Sequence, residues 1–97
     1  MRKLVITTLA RKNLKEVLEF IKIRFGENSS KKFANKLYKS LDLIVDNPEL
    51  FPKSKLNNRM RKCVITKQST VYYTFNNYEI KVLMVFDTRQ NPNKIKE

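Results

Sequence analysis

The sequence has no histidine, no tryptophan, one cysteine and one glycine among its 97 residues. Without histidine it lacks the commonest metal ligand and the commonest general base near neutral pH. A zinc site is excluded on that ground, and no cofactor is expected. The lone Cys63 rules out an internal disulfide and fits a reducing compartment. It reads as a small, half-buried hydrophobe. One Gly and three Pro leave no linker or low-complexity segment, and no repeat is visible. There is no signal peptide and no apolar run long enough to span a bilayer, so a cytoplasmic protein with no membrane partner is expected. Acidic residues are scarce as well: 9 Asp and Glu stand against 21 Lys and Arg, a formal net charge of +12. An excess of that size predicts attraction to polyanions: nucleic acid, an acidic protein or an anionic membrane surface.

The length suits a single domain over residues 1–97 with one two-layer core. Leu4-Val5-Ile6-Thr7 is a short β-type run, and Thr7 or Thr8 can cap the helix that follows. Leu14, Val17, Leu18, Ile21 and Phe25 recur at helical spacing, with Lys12–Glu16 and Lys15–Glu19 on the polar side. Gly26 sits where a left-handed C-cap belongs. Asn28-Ser29-Ser30 offers a cap for a second helix, whose stripe is Phe33, Ala34, Leu37, Tyr38, Leu41, Ile44 and Val45. Asn47-Pro48 stops it. Two amphipathic helices so closely joined predict an antiparallel hairpin.

The last third is β-rich. Arg59 to Thr66, Thr70 to Phe75 and Tyr78 to Phe86 are three runs divided by polar breaks. With Asn76-Asn77 as a two-residue loop, Phe75 faces Tyr78, Tyr73 faces Ile80 and Val71 faces Val82. Alternation then puts Val71, Tyr73, Phe75, Tyr78, Ile80, Val82, Met84 and Phe86 on one apolar face for the helices to cover. The other face carries Tyr72, Thr74, Glu79, Lys81, Leu83 and Val85. Arg61 and Lys67 are expected on that open face if Lys67 pairs with Thr70. The fold class is α+β: a β-α-α-β-β-β chain with a helical hairpin on one face of a mainly antiparallel sheet.

From Lys53 to Lys67 six basic residues, Lys53, Lys55, Arg59, Arg61, Lys62 and Lys67, occur with no acidic one. Lys53, Lys55 and Arg59 read as a solvated loop with general electrostatic duty. Arg59, Arg61, Lys62, Lys67, Lys81 and Arg89 are the candidates for binding an anionic partner. Arg61, Arg89, Lys81 and Tyr72 are the candidates for any direct chemistry, with Tyr72 as a stacking platform and Arg89 as a bidentate phosphate grip.

This order of elements resembles the RelE/ParE superfamily, the toxins of type II toxin–antitoxin modules. The resemblance rests on Leu9-Ala10-Arg11-Lys12-Asn13-Leu14, Asn47-Pro48-Glu49-Leu50, Arg61 through Lys67, Val71-Tyr72-Tyr73 and Phe86-Asp87-Thr88-Arg89-Gln90-Asn91-Pro92, in that sequence. Arg-Gln-Asn-Pro is more similar to the ParE-like, plasmid-stabilisation branch than to the ribonuclease branch. The resemblance implies a growth-arresting protein neutralised by a cognate antitoxin that is acidic where it binds, in a homodimer or a toxin–antitoxin hetero-oligomer. It also implies one of two targets: DNA gyrase, or the ribosome with its mRNA. Ribonuclease members commonly carry an Arg where Thr70 stands, and a Tyr or His after the last strand, where this chain has neither. Cleavage by 2′-OH attack needs a positioned acid and base. Glu79 or a Lys are the stand-ins available here, and Glu79 beside Lys81 reads more simply as a surface pair. The ParE-like reading without nuclease chemistry is therefore preferred over a RelE-like mRNA endoribonuclease, with a generic basic nucleic-acid-binding module as a third possibility.

Overall fold

A computed structural model describes residues 2–90. The order is β1 (Lys3–Ile6), α1 (Thr8–Phe25), α2 (Glu27–Asp46), β2 (Arg61–Val64), β3 (Ser69–Phe75) and β4 (Glu79–Asp87). The four strands form one sheet in the order β1-β4-β3-β2. β2–β3 and β3–β4 are antiparallel, and β1 lies parallel to β4 at one edge, Leu4 beside Ile80 and Ile6 beside Val82. The helices cover one face. Ala10, Leu37, Leu41 and Ile44 pack there against Cys63, Val71, Tyr73, Ile80, Val82 and Val85. A second cluster of Val17, Ile21 and Phe33 fills the far end of the hairpin. Cys63 is free and fully buried, and burial pushes its thiol pKa up against the opposing Ser40 hydroxyl.

Thr7 caps α1 as its position suggests, its Oγ1 accepting from the Ala10 N–H at 3.1 Å. The same hydroxyl donates to the Leu83 carbonyl, and the Asn13 side chain accepts from the Val85 N–H. β1 ends at Ile6, so the α1 cap Thr7 and the α1 residue Asn13 satisfy the β4 edge where strand pairing runs out. Gly26 has the expected positive φ, 97°, but its ψ of 167° is extended and not left-handed helical. Only glycine adopts that region readily. One residue reverses the chain, so α2 begins at Glu27. Asn28, Ser29 and Ser30 lie inside its first turn and do not cap it. Ser30 instead donates to the Leu18 carbonyl, tying the helices together.

The predicted hairpin register is two residues off. Phe75 pairs with Ile80, and Tyr73 with Val82. A two-residue loop of the favoured kind needs positive φ, and no described residue except Gly26 has it. The loop is residues 76–78, and Glu79 opens β4. The Asn76 side chain accepts from the Tyr78 and Glu79 N–H groups, and the Asn76 N–H donates to the Glu79 carbonyl. Tyr78, expected on the apolar face, is 81% exposed at the tip.

A bulge makes the second correction. Tyr72 pairs with Met84 while Tyr73 pairs with Val82, so Leu83 is an extra residue on β4. Beyond it the alternation inverts. Val85 and Asp87 turn to the helices, and Met84 and Phe86 to the outer face. Replacing Gly26 by Ala meets no neighbour within 4 Å, so its cost is backbone strain alone. We expect a loss of about 1–3 kcal/mol in urea unfolding. A Gly26→Ala protein as stable as the parent would contradict the hinge assignment.

Candidate binding site

The candidate cations are not gathered in one place. Arg61 opposes Tyr73 across β2–β3 and shares its helix-side face, contrary to the expected open-face position. The reason is the β2–β3 turn: Val64, not Lys67, pairs with Thr70, and residues 65–68 form the loop. The Thr66 hydroxyl organises that loop by accepting from the Gln68 and Ser69 N–H groups. Lys67 is exposed in the turn and stands on no strand face.

The Arg61 guanidinium donates to the Phe51 carbonyl at 2.8 Å and the Glu49 carbonyl at 3.3 Å. It also lies 5.6 Å from the Phe75 ring centroid. Next to it the buried Tyr73 hydroxyl donates to the Pro48 carbonyl at 2.6 Å. Burial pushes the Tyr73 pKa up to about 12, with Arg61 acting against it. The pair fastens residues 48–51, the crossing from α2 to the sheet. That segment continues along the β2 edge, where the Lys62 N–H donates to the Pro52 carbonyl and Lys53 bridges to Arg61.

Arg89 is held at the other end of the sheet. Its Nε and Nη2 reach Asp87 at 3.1 and 2.7 Å, its N–H donates to the same carboxylate, and the guanidinium lies over the Phe20 ring of α1. The Asp87 side chain is 1% exposed and that of Arg89 24%. Ser69 donates to Asp87 from β3 at 2.5 Å. Burial alone would raise the Asp87 pKa, but the Arg89 and Ser69 hydrogen bonds outweigh it and hold the carboxyl below its usual range. The same contact raises the Arg89 pKa. Asp87 was not singled out in the sequence. The available signal was an acid ending an apolar strand two residues before an arginine.

The outer face carries the remaining candidates. Lys62 opposes Tyr72, Tyr72 opposes Met84, and Thr74 opposes Lys81. Tyr72 is only 3% exposed, so its ring does not offer an open stacking surface. Lys81 pairs with Glu79 at 3.9 Å, a partly exposed contact of about 0.5 kcal/mol at most. Toward the β2–β3 end this face becomes apolar, with Val64, Thr70 and Phe86 in a row across three strands. Arg59 lies in the exposed 55–59 loop, its N–H bound to the Asn57 side chain.

A separate cleft of about 350 Å3 opens where the hairpin end meets the β2–β3 turn. Ile21, Phe25 and Phe33 give it an apolar lining, and Lys32, Lys36 and Arg89 are its charged residues. No motif marked it, because it joins parts of the chain that are far apart in sequence.

With this geometry in view, the comparisons with known proteins are specific. Residues 4–92 match the family described as the ParE toxin of type II toxin-antitoxin system, parDE. The solved chromosomal ParDE system from P. aeruginosa is similar at TM-score 0.76 and 16% identity, covering 90% of this chain and 96% of that one. The E. coli DinJ-YafQ complex is similar at TM-score 0.64 and 12% identity, with 94% and 98% covered. The YoeB dimer from Staphylococcus aureus gives TM-score 0.63 and 17% identity, with 88% and 94% covered. No curated protein sequence matches the chain. The fold is that of the RelE/ParE superfamily of toxins, and the chain belongs to its ParE toxin family. Among the described residues, no helix is long and apolar enough to cross a membrane. The Asn91-Pro92 end of the C-terminal motif lies outside the described residues.

Removing Asp87 leaves Arg89 partly buried without its counter-charge. Asp87→Ala is expected to cost about 3 kcal/mol, read from urea midpoints. The pH dependence has a definite sign. The folded-state pKa of Asp87 is depressed, so its contribution is complete above the unfolded carboxylate pKa of about 3.9 and is lost as pH falls toward the folded value. Asp87→Asn should therefore flatten the acid limb of the stability curve below about pH 4. At the other end, Tyr73→Phe is expected to cost about 1–2 kcal/mol by stranding the Pro48 carbonyl, with the helix content by circular dichroism unchanged.

Proposed function

We propose that this chain is a ParE-like, growth-arresting toxin that acts by binding and poisoning a macromolecular target, with DNA gyrase as the preferred candidate. In this reading an acidic cognate antitoxin neutralises it. One observation carries the preference for binding over RNA cleavage: both arginine candidates for phosphate contact are already engaged inside the protein. Arg61 grips two backbone carbonyls, and Arg89 is locked to Asp87. The outer face adds Lys62, Lys81, a largely buried Tyr72 and a salt-bridged Glu79, with no second carboxylate among its described strand residues to complete an acid–base pair. The +12 charge supports an acidic partner and opposes self-association. The ParDE and DinJ-YafQ systems, which share the fold, are toxin–antitoxin assemblies by name and support the same partner class.

Two assays test this reading. Induction in a bacterium should arrest growth, and co-induction of the adjoining gene should restore it. Purified protein should inhibit supercoiling by gyrase and leave mRNA intact on programmed ribosomes. A-site cuts that vanish in Arg89→Ala, in a variant verified as folded, would establish the RelE-like endoribonuclease instead. Unimpaired growth with abundant soluble protein and avid binding to any nucleic acid would point to a generic basic module.

A further inference from the structure

We infer that the cleft at the hairpin end binds a small aromatic carboxylate, with its ring body against Phe25 and Phe33 and its acid group held by Lys32, Lys36 and Arg89. The ligand is a free small molecule, and the site is independent of the macromolecular target and of any protein partner. The walls of the cleft come from three places: the end of α1, the first half of α2, and the sheet end where the β2–β3 turn meets Arg89.

The charged groups around the recess are all donors. Three cationic side chains line it and no carboxylate does. Lys32 and Lys36 stand four residues apart on α2, a spacing at which like charges repel. Neither has an ion-pair partner among the described residues. Arg89 commits Nε and Nη2 to Asp87, which leaves Nη1 without an acceptor among the described residues. The Asp87 contact also holds the guanidinium in place, so its remaining donor is positioned before a ligand arrives. A carboxylate only accepts hydrogen bonds and carries the opposite charge, so it satisfies this set and relieves the lysine repulsion. A neutral or cationic ligand does neither.

The rest of the lining selects the body of the ligand. Ile21 and Phe33 are buried, while Phe25, the last residue of α1, is 58% exposed. Two phenylalanine rings offer an aromatic body offset or edge-on contacts that an aliphatic chain does not gain. At about 350 Å3 the cleft lies at the small end of the range for ligand pockets, which suits a body of one or two rings. Nucleic acid fits less well. A strand calls for cations along an open track with successive exposed rings to stack on, and here three cations and one exposed ring border a recess.

The test titrates the full chain with naphthoate, a two-ring aromatic carboxylate, and follows the backbone amides by NMR. The uncharged naphthamide and the ring-free acetate serve as the two ligand controls. Naphthoate should produce saturable shifts at Phe25, Lys32, Lys36, Thr66, Gln68 and Arg89, and each control should bind about tenfold or more weakly. Lys32→Gln/Lys36→Gln should weaken naphthoate binding about tenfold, and Phe25→Ser should weaken it severalfold. The same charge change on other exposed lysines, Lys12→Gln/Lys53→Gln, should leave the affinity within about twofold of the parent. Phe25, Lys32 and Lys36 are exposed, so these variants are expected to keep the parent circular dichroism spectrum. The inference is overturned by the absence of saturable shifts at millimolar naphthoate, by shifts confined to the outer sheet face, or by equal affinity for naphthamide. Equal weakening in both lysine pairs, or displacement of naphthoate from these residues by single-stranded DNA, overturns it as well. Growth arrest on induction is read separately, so failure of this site is distinct from failure of the toxin reading.

Discussion

The extra residue at Leu83 decides which side chains of β4 are inside the protein. Without it, Met84 and Phe86 would face the helices, and Val85 and Asp87 would face out. With it, Asp87 enters the core beside Ser69, and the α1 cap Thr7 and the α1 residue Asn13 meet the disturbed edge of β4. A buried carboxylate requires a counter-charge and hydrogen bonds to be tolerable. Arg89, Ser69 and an N–H group supply them, and the ring of Phe20 braces the guanidinium from α1. One irregularity in pairing therefore fixes the geometry of the whole C-terminal end of the sheet.

The placement of charge follows a similar division. The net excess of cations belongs to the molecule as a whole, yet the two arginines best suited to bidentate recognition are bound to the protein itself. None of the described lysines is buried, and an ammonium is a point charge that attracts without imposing geometry. Such charges attract a negative group from a distance, and any fixed orientation has to come from other contacts.

The helices were legible in the sequence because a 3.6-residue stripe survives small errors. Phe33, Leu37, Leu41 and Ile44 are buried as their spacing predicts, and Thr7 caps as its position predicts. The element order and the helical hairpin on one sheet face were legible for the same reason. The sheet was harder to read, because a slip of one residue exchanges its faces. Asn76-Asn77 marked the right place but not the loop length, since the side chain of Asn76 substitutes for the positive φ of a tighter turn. The bulge at Leu83 and the turn at residues 65–68 left no mark in the pattern, so Arg61, Val85, Met84 and Phe86 all changed sides. Asp87–Arg89 and the cleft beside Phe25 depend on contacts between distant parts of the chain, which no local spacing encodes.

The parallel pairing of β1 with β4 has a consequence for how the protein comes into being. β1 precedes both helices in the chain, and its hydrogen-bonding neighbour is made after both helices and two further strands. During translation the helical hairpin can form early, but the sheet it must cover cannot close until β4 has emerged, and such distant pairings are slow to form. Until β4 is made, then, the nascent chain exposes the greasy side of its hairpin. The core is completed by a late strand, so its formation waits on the arrival of residues 79–87.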